Sequence, residues 1–221
     1  MTGPIKILLI DDHQLVRRGL AQLIEQQPGL QVCAEAGTPG EALEALNSAA
    51  PDVLVLDISL GEHNGISLIR DLRDQGWRQP ILVLSMHGEA LYAERVLKAG
   101  ANGYIMKEKG AGEMISAIKR VAAGNTYLSE AMYTRILAPV VGGKGKSSRA
   151  EAPPIHGLTN REFEILEFIG SGVKTSDIAA ELNLSVKTVE THRANIKSKL
   201  GLKNSIELLQ YATEYVQHDS Y

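Results

Sequence analysis

The chain has 221 residues, of which 44% are hydrophobic and 22% are charged, an ordinary composition for a globular protein. Its formal net charge of −3 excludes a chain that is basic throughout, so any surface for nucleic acid must be local. The single cysteine, Cys33, excludes an intrachain disulfide and is expected to be a small buried residue of a cytoplasmic protein. No apolar run approaches the roughly 20 residues of a membrane helix, and no signal peptide is predicted.

Up to about residue 125 the chain alternates short apolar runs with amphipathic patterns of helical period. Apolar residues are continuous within each run, which is typical of strands buried on both faces of a parallel sheet. The predicted strands are Ile5–Ile10, Leu30–Ala34, Val53–Leu56, Ile81–Ser85 and Gly103–Met106. The predicted helices are His13–Gln27, a second helix capped by Thr38, Ile66–Asp74, Ala90–Ala99 and Ala111–Ala123. Five βα units predict an α/β fold with a doubly wound, five-stranded parallel sheet.

The second part of the chain has a different pattern. Residues 137–156 are rich in Gly, Lys, Ser and Pro and have no apolar period, which is typical of a linker. From residue 158 onward four helices are predicted. Thr159 and Asn204 each precede a glutamate by three residues, as in a capping box, and Ser185 caps the helix between them. We therefore expect one domain over residues 1–128, a linker over residues 129–156 and a small all-α domain over residues 157–221.

Polar residues stand where the predicted strands end. Asp11 and Asp12 follow the first strand, Asp57 follows the third, Ser85 ends the fourth, and Lys107 follows the fifth. The carboxyl ends of parallel strands meet at one edge of a sheet, so these side chains are expected to converge. Carboxylates 4 Å apart repel by about 4 kcal/mol per pair, a penalty that Mg²⁺ removes. Each residue alone is explained more simply as a turn or surface residue, but together they indicate phosphoryl transfer with an aspartate nucleophile.

The short helix, turn and longer helix over residues 175–200 fit a helix-turn-helix. In the longer helix the apolar stripe is predicted at Val186, Val189, Ile196 and Leu200, so the opposite face would enter a major groove of DNA. Residues 185–203 contain five basic residues and one acidic residue, a net charge of +4. A basic helix face alone is usually just a solvated surface.

The segments KILLIDDHQLVRRGL, VLVLDISL, ILVLSMH and KAGANGYIMK resemble the receiver domain of bacterial two-component response regulators over about residues 4–128. The resemblance implies a flavodoxin-like fold with a phosphoacceptor at Asp57. It also implies a Mg²⁺ site that includes Asp57, with Asp12 as a direct ligand, Asp11 acting mostly through water, and Ser59 contributing its backbone carbonyl. Gly61 departs from the family, which usually has proline four residues after the phosphoacceptor, and glycine gives the loop more freedom.

The same resemblance implies a conformational switch. Ser85 and Lys107 would sense the phosphoryl group, and the loops and helix over residues 86–102 would repack in response. Tyr104 falls at the position of the family's switch aromatic residue, and an ordinary surface tyrosine is the alternative interpretation.

The segments LTNREFEIL and IAAELNLSVKTVETHRANIKSKLG resemble the LuxR-type DNA-binding domain over about residues 157–216. With the receiver, this makes the chain similar to response regulators of the NarL/FixJ type. The implied phosphate contacts are Lys187, Thr188, His192, Arg193 and Lys197. The residues implied to face the bases are Glu190, Thr191 and Ala194. Many relatives have lysine at position 190, whereas a glutamate can accept a hydrogen bond from cytosine N4. His192 has an alternative role as a helix-packing imidazole.

Together these patterns predict a phosphorylation-dependent transcription regulator. A histidine kinase would phosphorylate Asp57, and the chain would bind double-stranded DNA as a homodimer without membrane contact. It would not be an enzyme beyond Mg²⁺-dependent phosphorylation and slow dephosphorylation of its own aspartate. We expect the unphosphorylated receiver to cover the recognition helix. The alternatives are a phosphatase with an aspartyl intermediate, which would usually have an acid at the position of Ser59, and a regulator that acts through protein contacts alone.

Overall fold

The computed structural model describes residues 3–61, 63–86, 88–141 and 158–218. The chain divides into two compact units, Met1–Gly143 and Lys144–Tyr221. The strands of the first unit are β1 (Ile5–Ile10), β2 (Leu30–Ala36), β3 (Val53–Asp57), β4 (Ser59–Leu60), β5 (His63–Asn64), β6 (Ile81–Ser85) and β7 (Gly103–Met106). Its helices are α1 (Gln14–Glu25), α2 (Pro39–Ala49), α3 (Gly65–Asp74), α4 (Glu89–Ala99), α5 (Ala111–Ala122) and α6 (Glu130–Val141).

Five parallel strands form the main sheet in the order β2-β1-β3-β6-β7, which confirms the predicted fold class. Every residue of β3 and β6 is buried, because helices cover both faces of the sheet. The register pairs Ile10 with Leu56 and Ser85 with Met106, so the carboxyl ends of β1, β3, β6 and β7 lie at one edge. The sheet therefore brings the residues that follow these strands together.

The structure corrects one part of the predicted linker. Glu130–Val141 is the helix α6, and it packs on α4, with Met132 buried in the first unit. Burial of this side chain explains the helix, because most helical stability in proteins comes from packing an apolar face rather than from local propensity. Residues 142–156 of the predicted linker lie outside the described residues, as does residue 157, the predicted start of the next domain.

Over residues 158–218 the second unit contains four helices: α7 (Asn160–Gly170), α8 (Thr175–Glu181), α9 (Val186–Leu200) and α10 (Ser205–His218). The predicted capping box at Thr159 and Glu162 is confirmed, as is the cap at Ser185, whose hydroxyl accepts from the Thr188 N–H. Val189, Ile196 and Leu200 are buried as expected, but Val186 is 51% exposed. This difference arises because Val186 is the first residue of α9 and lies beside the cap rather than in the core.

Across the described ranges, no helix is long and apolar enough to cross a membrane.

Candidate functional site

Lys107 joins two buried carboxylates at the carboxyl edge of the sheet. Its Nζ lies 2.6 Å from Asp57 Oδ2 and 2.8 Å from Asp11 Oδ2. Asp57 is 5% exposed and Asp11 is 3% exposed, so both carboxylates are shielded from water. Asp57 is the last residue of β3, Asp11 directly follows β1, and Lys107 directly follows β7. The convergence expected from parallel strand geometry is therefore observed for these three residues.

Burial is the main influence on the ionisation of Asp57. It raises the pKa of the carboxyl to about 6, although the Lys107 ammonium opposes the shift. For Lys107 the balance has the opposite sign. Burial lowers the pKa of the ammonium, but Asp57 and Asp11 outweigh burial and hold that pKa above its usual value. The result is an aspartate next to a persistent positive charge, which is suited to holding an additional anion such as a phosphoryl group.

Four neighbouring side chains could hold a metal ion. Ligand atoms of Asp11, Asp12, His13 and Asp57 all lie within 4.8 Å of one another. One oxygen of Asp12, Oδ1, is buried and accepts no hydrogen bond in the described part of the chain. His13 Nδ1 approaches this oxygen to 2.9 Å, but without the alignment of a hydrogen bond. A cluster of carboxylate oxygens with an unsatisfied buried acceptor fits a hard divalent cation, which prefers oxygen ligands.

The loop after Asp57 folds into a short hairpin that the sequence patterns did not indicate. β4 and β5 pair antiparallel, with Leu60 opposite His63. Gly61 lies in the turn with φ of +59°, a conformation that proline cannot adopt because its ring fixes φ near −65°. A Cβ at Gly61 would lie 3.3 Å from Asp12 Oδ2, so glycine also avoids a tight contact with this oxygen. The backbone N–H of Ser59 donates to Asp57 Oδ1 at 3.3 Å, and the predicted role of its carbonyl stays a prediction.

Ser85 and Tyr104 lie on the adjacent strands β6 and β7, whose carboxyl ends border the site. Both side chains are fully buried, Ser85 at the end of β6 and Tyr104 within β7. The backbone carbonyl of Ser85 accepts from the Lys107 N–H at 2.8 Å, which fixes the end of β6 to the residue that bridges the carboxylates. The alternative interpretation of Tyr104 as a surface tyrosine is wrong, because its ring is in the core.

Arg17 is a site neighbour that the sequence analysis missed. Its guanidinium donates to the backbone carbonyl of Asp11, and its Nε donates to Glu35 at 3.0 Å. Arg17 therefore orients the peptide that carries the first carboxylate. No local pattern could identify the contact between Arg17 and Glu35, since Arg17 lies on α1 and Glu35 lies on β2, 18 residues away along the chain.

The exposed face of α9 carries the residues predicted to contact DNA, and they differ in availability. Lys187, Thr191 and Ala194 are exposed, and the Glu190 side chain is 57% exposed. Arg193 is half-buried and donates to the hydroxyl of Thr175 at the start of α8, which leaves only part of its guanidinium for a phosphate. The remaining predicted contacts are Thr188, whose hydroxyl bonds Ser185, and the partly exposed Lys197 and His192.

His192 faces inward as well as outward. Its Nδ1 is buried and has no hydrogen-bond partner among the described residues. Burial lowers the pKa of the imidazole, which favours the neutral form. A neutral imidazole without a proton on Nδ1 carries its proton on Nε2, and this N–H can donate to a phosphate. The packing role and the phosphate contact are therefore compatible.

An ion pair between Lys199 and the buried Glu162 fixes α9 to α7. Lys199 Nζ lies 2.6 Å from Glu162 Oε2, and Glu162 is 3% exposed. Burial opposes the ionisation of Glu162, but hydrogen bonds from Lys199 and Thr159 hold its pKa below the usual range. One residue before Glu162, Arg161 donates at 2.6 Å to the carbonyl of Leu182 in the turn before α9. The Lys199 side chain is still 38% exposed, but its ammonium is paired with a buried carboxylate, although it was counted in the basic charge of this region.

Comparisons with known proteins agree with both parts of this description. The family model "Response regulator receiver domain" matches residues 7–119, and the model "Bacterial regulatory proteins, luxR family" matches residues 156–212. The chain is 35% identical to the oxygen regulatory protein NreC of Staphylococcus carnosus over 94% of its own length and 96% of that protein. It is 39% identical to the transcriptional regulatory protein UhpA of Escherichia coli over 92% and 95%. The crystal structure of the response regulator ChrA of a heme-sensing two-component system is similar at 29% identity, with a TM-score of 0.52 and coverage of 97% and 98%.

Proposed function

Because this chain belongs to the two-component response regulators that join a receiver domain to a LuxR-type DNA-binding domain, and is a transcription regulator, we propose that Asp57 is its phosphoacceptor. The observation that carries the proposal is the contact of Lys107 with both Asp57 and Asp11. A histidine kinase is the donor expected from the family. The family regulates transcription and does not consist of classical enzymes, so phosphorylation and slow dephosphorylation of its own aspartate is the only chemistry proposed.

In the proposed reaction a carboxylate oxygen of Asp57 attacks phosphorus, and the donor atom leaves with the electron pair of the broken bond. Lys107 stabilises the negative charge on the transferred group, and the buried hydroxyl of Ser85 donates to one of its oxygens. The acyl phosphate adds a charge of roughly −1.5 to −2, to which Lys107 and Ser85 respond, and residues 86–102 repack. Tyr104, the proposed switch residue, is buried before this change.

The proposed metal is Mg²⁺. Asp12 and Asp57 would hold it directly, Asp11 mostly through water, and the carbonyl of Ser59 would complete the protein ligands. The unsatisfied buried oxygen of Asp12 supports this assignment. When bound, the ion neutralises the carboxylates and the oxygens of the phosphoryl group.

The proposed DNA surface is the exposed face of α9. Lys187, Thr188, His192, Arg193 and Lys197 hold phosphates, while Glu190, Thr191 and Ala194 face the bases. Two large apolar side chains on α10, Ile206 and Leu209, are 78% and 48% exposed and supply a surface for a homodimer. The proposed DNA-binding domain spans residues 157–221, and the protein is proposed to act in the cytoplasm, where its DNA lies.

The test measures the binding of genomic duplex fragments with and without acetyl phosphate and Mg²⁺. Wild type is compared with Asp57→Ala and with Asp71→Ala, which removes an exposed carboxylate from α3. We expect the phosphodonor to increase binding by wild type and by Asp71→Ala, but not by Asp57→Ala. Binding that responds equally in all three proteins would refute Asp57 as the phosphoacceptor. An isolated fragment of residues 150–221 that binds no better than the unphosphorylated chain would refute occlusion of the recognition helix.

A further inference from the structure

The helix α6 is attached to the element that follows the phosphoryl site along the chain. β6 ends at Ser85, and α4 begins four residues later at Glu89. A carboxylate oxygen of Glu89 accepts a hydrogen bond of 2.8 Å from the backbone N–H of Ser129, the residue before α6. The first turn of α4 and the beginning of α6 are therefore joined by a charge-assisted hydrogen bond, a class about twice as strong as a neutral bond.

A second attachment fixes the same segment to the edge of the sheet. The backbone N–H of Tyr104 donates to the carbonyl of Tyr127 at 2.9 Å, and the N–H of Tyr127 donates to the carbonyl of Asn102 at 3.1 Å. Beyond this bridge, Met132 is buried where α6 packs on α4. The chain that leads into the second unit is thus connected to β7 through backbone bonds and to α4 through Glu89.

We infer that Glu89 is a positioning residue that couples the phosphoryl site to α6. The inference rests on the proposed function, in which residues 86–102 repack when Asp57 is phosphorylated. Movement of the first turn of α4 displaces the Glu89 carboxylate, so the Ser129 N–H must follow it or lose its partner. Leaving a part-buried donor without a partner is unfavourable, so phosphorylation and the docking of α6 are linked, and each affects the other equally.

Glu89 also stabilises the helix α4 itself, and the experiment must distinguish this role from the coupling to α6. It lies in the first turn of α4, where a carboxylate interacts favourably with the helix dipole. The variant Glu89→Ala removes both the dipole interaction and the acceptor, whereas Glu89→Gln keeps an acceptor oxygen without the charge. Glu94→Ala is the matched control, because Glu94 is a half-exposed carboxylate on the same helix and pairs with Lys98 one turn later.

The measurement uses the full chain with acetyl phosphate and Mg²⁺. Phosphorylated protein is quantified on a gel that retards phosphoproteins. The response is the ratio of duplex dissociation constants without and with the donor, and amide hydrogen exchange of Ser129–Val141 is measured in parallel. For Glu89→Ala we expect normal phosphorylation, faster exchange of α6 without the donor, and a response about tenfold smaller than that of wild type, whereas Glu89→Gln retains most of the response.

Two outcomes would overturn the inference. One is a wild-type response and wild-type α6 exchange in Glu89→Ala, and the other is an equal loss of response in Glu94→Ala. If Glu89→Ala is itself poorly phosphorylated, Met132→Ala loosens the same docking from the α6 side, and an unchanged response there counts against coupling. Failure of wild type to be phosphorylated at Asp57 would instead refute the proposed function.

Discussion

Replacing Asp57 by asparagine is expected to stabilise the protein at neutral pH in the absence of metal. Burial raises the pKa of Asp57 from 3.8 to about 6 in the folded chain. The folded state therefore favours the protonated carboxyl. The contribution of the protonated Asp57 carboxyl to the free energy of unfolding is fully present below about pH 3.8 and is lost as the pH rises through about 6.

The magnitude follows from the difference between the two pKa values. Raising the pKa of Asp57 from 3.8 to about 6 corresponds to about 3 kcal/mol, since a tenfold change in the ionisation equilibrium is about 1.4 kcal/mol. Asparagine does not ionise, so Asp57→Asn should gain about 1.5 kcal/mol in its free energy of unfolding near pH 5 and about 3 kcal/mol above about pH 7. Lys107 keeps Asp11 as a partner in the variant, so the substitution does not leave the ammonium unpaired.

The assay is urea unfolding of wild type, Asp57→Asn and the exposed control Asp71→Asn in EDTA, from about pH 5 to about pH 8. The difference between wild type and Asp57→Asn is the quantity of interest, because it cancels the titration of other groups. Added Mg²⁺ should stabilise wild type more than Asp57→Asn, since the cation neutralises the carboxylate that the variant lacks. A variant no more stable than wild type at pH 7, or a gain that shrinks as the pH rises, would refute the reasoning.

Three further predictions concern other parts of the chain. Gly61→Pro should lower the free energy of unfolding by roughly 1–3 kcal/mol, measured in urea, because proline cannot adopt the observed φ of +59°; unchanged stability would contradict this. Gly170→Ala should destabilise the second unit by roughly 1–3 kcal/mol, measured by thermal unfolding, because a Cβ there would overlap the backbone carbonyl of Ala212 on α10. Lys187→Gln should reduce the slope of log affinity against log salt by about 0.9, measured by duplex titration. Lys199→Gln should leave that slope nearly unchanged, because Lys199 pairs with Glu162, and equal changes in both variants would show that Lys199 contacts DNA.

The sheet and the convergence of its polar residues were predictable because their causes are local or follow from parallel topology. Continuous apolar runs mark strands buried on both faces, and three of the five predicted strands have the observed bounds. Asp11, Asp57 and Lys107 meet because parallel strands end at one edge. The predicted helix caps at Thr38, Thr159 and Ser185 are also observed, since a cap depends on a few neighbouring residues.

The features that sequence reasoning missed depend on contacts between distant segments. The β4–β5 hairpin has two residues in each strand, too few for a periodic pattern. Helix α6 depends on packing against α4, and the composition that follows it extended the predicted linker too far toward the receiver. The pairing of Glu162 with Lys199 spans 37 residues. The capping box correctly assigned one role to Glu162 but gave no indication of the second.

The path along the chain from the end of β6 to Glu89, which is bonded to the beginning of α6, is short. Ser85 and Glu89 are four residues apart, so the fully extended chain between them spans at most about 14 Å. At one end Ser85 is bonded through its carbonyl to the residue that bridges Asp57 and Asp11, and at the other end Glu89 holds the N–H of Ser129. The parallel connection through Tyr104 and Tyr127 consists of backbone hydrogen bonds. Because both routes reach the beginning of α6, we expect a change at β6 and β7 to act on this helix.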